Sequence, residues 1–111
     1  MNLLVTFPRL GVVPGLRAAL ASHSAHVAEA FDAAAWDDPV RSHDAWLRAV
    51  QSLAAAAVWL GRAHNIGLDD AARGDLDEAR TALADLRAAT TSACRRAADK
   101  CPPPDAAVTP F

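Results

Sequence analysis

Apolar side chains recur at alternating steps of three and four along three successive segments of this 111-residue chain. The first run is Leu16, Leu20, His23, Val27, Ala30 and Ala34; the second is Trp46, Val50, Leu53, Ala57, Leu60 and His64; the third is Leu76, Ala79, Leu83, Leu86, Thr90, Ala93 and Ala97. That spacing places each set on one face of an α-helix and is incompatible with the two-residue period of a strand. The expected fold is therefore all-α, a small antiparallel bundle of three long helices.

Local signals set the boundaries. Pro14 suits a first helical turn, and Trp36-Asp37-Asp38-Pro39 ends one helix and starts the next, with Asp38 as N-cap and Pro39 at the first position. Asn65-Ile66-Gly67 closes the second helix. The third either starts at Asp69 and tolerates Gly74 or starts at the capping-box sequence Asp75-Leu76-Asp77-Glu78. Helices are thus expected over 14–35, 39–64 and 69–100 within a single domain, 1–101. The prolines at 102–104 end the last helix, and 102–111 reads as a flexible Pro-rich tail.

The stripes are built more from alanine than from bulk. Of 27 Leu, Ile, Val, Phe and Trp residues, seven lie in 1–13 and two in the tail, leaving eighteen for the rest of the chain. Each buried bulky side chain contributes about 1.5–3 kcal/mol, so the N-terminal segment is too apolar to stay in water. Broken by Pro8 and Gly11, it reads as an extended apolar arm over 1–13, covering the core in cis or inserting into a partner in trans. Leu4, Phe7 and the off-stripe Trp59 are the candidate partner-binding residues.

Charge and composition argue against several functions. The net charge is −2 with no basic cluster, against a nucleic-acid partner. No run approaches the ~20 apolar residues of a membrane span, and no secretory signal opens the chain, so a cytoplasmic protein is expected. Rich in Ala, Arg and Asp with a single lysine, the composition resembles that of a small bacterial protein from a GC-rich genome. Cys94 and Cys101 would lie ~10 Å apart along one helix, too far to pair unless it ends between them. Cys94 reads as a buried structural thiol.

Little chemistry is legible. His23, His26 and Glu29 share one helix face, but His43 and His64 would stand ~31 Å apart on another helix, and carboxylate-bridged metal bundles need more than the two glutamates present. The acidic residues from Asp69 to Glu78 lack calcium-loop spacing. No phosphate loop, nucleophile elbow or zinc spacing occurs, so no catalytic residue, metal ligand or cofactor is assigned. The expectation is a non-catalytic interaction module, a homodimer or a small subunit bound to a protein partner. The alternative is a small-ligand or cofactor-binding bundle, an enzyme or accessory subunit, using His23, Trp46, Trp59 and His64.

Overall fold

In the computed structural model, which describes residues 3–63 and 69–102, three long helices carry the fold: α2 (Leu16–Ala35), α3 (Pro39–Arg62) and α4 (Asp70–Asp99). They come after a short helix α1 (Leu3–Thr6) and a 3₁₀ turn (Pro8–Val12). The expected small all-α bundle is present. No helix among the described residues is long and apolar enough to cross a membrane. His64 and the tail beyond Pro102 lie outside the described residues.

The turn between α2 and α3 is a Schellman motif. Asp38 N–H donates to the Ala33 carbonyl (2.9 Å) and Asp37 N–H to that of Ala34 (3.1 Å), with Asp37 left-handed at φ 57°. Asp38 then turns to α3, its carboxylate accepting from Arg41 N–H at 3.1 Å, with Pro39 in the first turn. Asp69 caps α4 in the same way, accepting from Ala72 N–H at 2.8 Å. The helix therefore runs unbroken through Gly74 and does not restart at Asp75.

The middle helix is α3, which packs against both α2 and α4, while α2 and α4 make no comparable contact with each other. Its buried face is centred on Ser42, Ala45, Ala49, Leu53, Ala56 and Leu60. Leu53 and Leu60 of the expected stripe are buried, but Trp46, Val50 and Ala57 are only half-buried, and their neighbours Ala45, Ala49 and Ala56, one residue back, take the buried places. Small residues let α2 come close enough for Ser42 Oγ to donate to the Ala30 carbonyl at 2.9 Å, so at this end of α3 bulk marks the edge of the buried face, whereas Leu53 and Leu60 stand within it further along. Likewise Ala33, not Ala34, is buried on α2.

The N-terminal arm is not extended. Among the described residues there is no strand, so an extended segment would find no strand edge for its backbone groups, whereas a helical one satisfies them internally. Phe7 N–H donates to Leu3 O (2.8 Å), Leu10 N–H to Phe7 O (3.1 Å) and Val13 N–H to Leu10 O (3.0 Å). Leu3, Phe7, Leu10 and Val13 consequently share one side and are buried in the same core as Leu16, Leu53, Leu60 and Leu76. The arm packs in cis, touching both α2 and α4, with an Arg9–Asp75 ion pair (3.5 Å) at its edge.

Candidate functional site

The arm lies between α2 and α4 at one end of the bundle only. Beyond it the same space is an open groove of ≈ 940 Å³, with walls from α2 and α4 and a floor from the start of α3. Val27, Phe31 and Ala34 line the α2 wall, Trp46 and Ser42 the floor, and Ala89, Ala93 and Ala97 the α4 wall. The arm lies over the other half, where Leu3, Leu4 and Val5 line a smaller pocket of ≈ 330 Å³ together with Leu20, His23 and Leu86.

His23 stands at the boundary, adjoining both halves. Its Nε2 lies 3.2 Å from Thr90 Oγ1, a buried bond across the gap from α2 to α4. Thr90 Oγ1 donates its one proton to the Leu86 carbonyl at 2.8 Å, so it accepts from His23 and Nε2 carries the ring proton. Burial lowers the His23 pKa from 6.5, with the neighbouring His26 acting in the same sense. A neutral imidazole thus closes the inner end of the groove.

Aromatic residues dominate the outer end. Phe31 meets Trp46 edge to face, ring centroids 5.5 Å apart at 77°. Phe31 is nevertheless 64% exposed and Trp36, on the α2–α3 corner, 77% exposed; Val40 and Leu47 are exposed nearby in sequence. Charges flank the opening, Asp37 and Asp38 on the corner and Arg96 and Lys100 on α4. Arg41 pairs with Glu29 (3.8 Å) and Asp32 (3.7 Å).

The residues singled out in the sequence separate. Phe7 is buried, Leu4 is half-buried against the core, and Trp59 is half-buried with its indole packed on Gly15. The Arg62 guanidinium lies 5.3 Å from the Trp59 ring. All three side chains are engaged within the chain. Of the proposed ligand pocket, His23 and Trp46 line one groove, Trp59 packs elsewhere, and His64 is outside the described residues. Phe31 follows Val27 by four and precedes Ala34 by three, so the step that defines the first stripe also places it on this wall; Trp36 lies on no stripe, and an aromatic ring in the polar turn Trp36-Asp37-Asp38-Pro39 is the one signal the sequence offers for it.

Cys94 is buried and its thiol pKa is raised by desolvation, the direction of an unreactive thiol. Cys101 Sγ lies 3.4 Å from the Pro39 carbonyl, tying the end of α4 to the start of α3. Among the described residues no three His, Cys, Asp or Glu side chains are grouped to hold a metal ion. No family model, curated protein or solved structure matches this chain.

Proposed function

We propose that this protein is a non-catalytic helical interaction module and that the groove between α2 and α4 is its docking surface. The observation that carries this reading is the half-filled fourth position of the bundle. The arm supplies apolar cover for one half of the α2–α4 gap, and the other half offers an apolar floor and walls rimmed by charge. A contiguous exposed patch with a polar rim is the usual form of a protein-binding surface. The partner is a protein presenting an apolar helix or helical corner. The unpaired thiols suit a reducing compartment, and we place the protein in the cytoplasm.

Photocrosslinking tests this reading. The photoreactive amino acid p-benzoylphenylalanine in place of Ala89, on the groove wall, should give protein adducts in living bacteria, and in place of Ala84, exposed but outside the groove, it should not. Equal labelling at both positions, or none at Ala89, contradicts it.

A second reading is favoured by His23 and Trp46 sharing the groove: a small apolar ligand held there, in a volume of ordinary ligand-site size. Native mass spectrometry of the purified chain would show that ligand as added mass on the monomer.

A further inference from the structure

We infer that the partner seated in the groove is the α2–α3 corner of a second copy of this chain, in a reciprocal two-fold pairing. The inference rests on the groove being a docking surface and names its occupant.

The shape of the molecule is self-complementary. The groove and the corner adjoin at one end of the bundle, so a single molecule carries both an aromatic knob and a hole. Trp36 projects from the corner at 77% exposure, leaving on the order of 100–200 Å² of ring surface in water, while Phe31 stands 64% exposed on the α2 wall of the groove. The α4 wall opposite is lined by Ala89, Ala93 and Ala97, which leave room for a ring. A helix from an unrelated protein could fill the groove, yet Trp36 lies on the corner outside its lining and would stay exposed. A second copy rotated by a two-fold axis buries the groove and Trp36 together, because each corner enters the other's groove.

Charge points the same way. The groove has an acidic edge at the corner, Asp37 and Asp38, and a basic edge on α4, Arg96 and Lys100. Among the described residues Asp37, Arg96 and Lys100 enter no ion pair. Reciprocal docking brings the acidic corner of each copy to the basic wall of the other, so the surface is complementary to itself in sign as well as in shape.

Sedimentation velocity on the purified chain is the test. The wild-type chain should sediment at twice its 11.6 kDa mass in a concentration-dependent way. Trp36→Ala should weaken association roughly 30-fold or more, as expected for a central aromatic anchor. Asp37→Lys and Lys100→Asp should each be monomeric, since each homodimer would hold two like-charge contacts. Their equimolar mixture should recover a dimer, because that pairing holds one native and one reversed ion pair. Far-UV circular dichroism establishes that each variant is folded. A wild-type monomer, or a dimer indifferent to Trp36→Ala and to the charge variants, overturns the inference. If the chain is monomeric but p-benzoylphenylalanine at Ala89 still captures another protein, the inference fails while the docking reading stands; with neither dimer nor adduct, both fail.

Discussion

His23 and Thr90, one on α2 and one on α4, meet at 3.2 Å where the arm-covered half of the bundle gives way to the open groove. Because Thr90 spends its proton on Leu86, the bond requires a proton on His23 Nε2 and places no demand on Nδ1. Burial makes the charged ring unfavourable.

The direction of that shift sets the sign of a pH effect. His23 is harder to protonate in the folded chain than in the unfolded one, so the unfolded state binds more protons below the ordinary histidine value of 6.5. Stability should be level well above that value and fall as pH drops through it, before the carboxylates titrate. His23→Gln should flatten that fall. Urea denaturation at a series of pH values measures it, and an equal slope in wild type and variant would show that His23 is not its source.

Gly15 and Trp59 give a steric prediction. Gly15 has φ 78°, and a Cβ there would fall inside the Trp59 indole. Gly15→Ala should therefore cost at least ~2 kcal/mol, backbone strain and overpacking together. Adding Trp59→Ala should remove the overpacking part and leave about 1 kcal/mol of strain. Additive losses in this double-mutant cycle would mean that the indole does not sit on the glycine.

Packing of the arm in cis is equally testable. Leu10 is fully buried and Val12 is 67% exposed only two residues away. Leu10→Ala should lower unfolding free energy by ~2–5 kcal/mol, and Val12→Ala should change it by less than about 0.5 kcal/mol. Similar small losses from both would place the arm outside the core.

Much of this fold is readable from residues whose physical effect is local. Asp38 with Pro39 starts α3 at the expected residue, Asp69 caps α4, and the α2 and α4 stripes bury Leu16, Leu20, Leu76 and Leu83 as their spacing requires. The arm departs from the extended form expected of it because Pro8 and Gly11 signal a break without specifying the conformation on either side. Helical turns win there through burial of Leu3, Phe7 and Leu10 against the other helices. On α3 the expected stripe tracks Trp46 and Val50, while the interface with α2 centres on Ala45 and Ala49, whose worth lies in close approach rather than area. The groove itself has no linear signature. It exists because the arm stops short, and length of cover is a tertiary property.

The register of α3 depends on the same small residues. Ala49 is fully buried and Val50 half-buried, so Ala49→Leu should overpack the α2–α3 contact and cost ~1–3 kcal/mol, whereas Val50→Leu should be tolerated. Equal effects in thermal unfolding would return the face to the bulky stripe.

If the α2–α4 groove is the surface through which this chain associates, an NMR dilution series on uniformly ¹⁵N-labelled protein will show it most directly. Amide shifts that move with concentration should cluster at Val27, Phe31 and Trp36 to Asp38 and along Ala89 to Lys100, leaving Val12 and Val58 unmoved. Shifts centred on the arm or on the exposed Val58 face of α3, with the groove silent, would contradict the account.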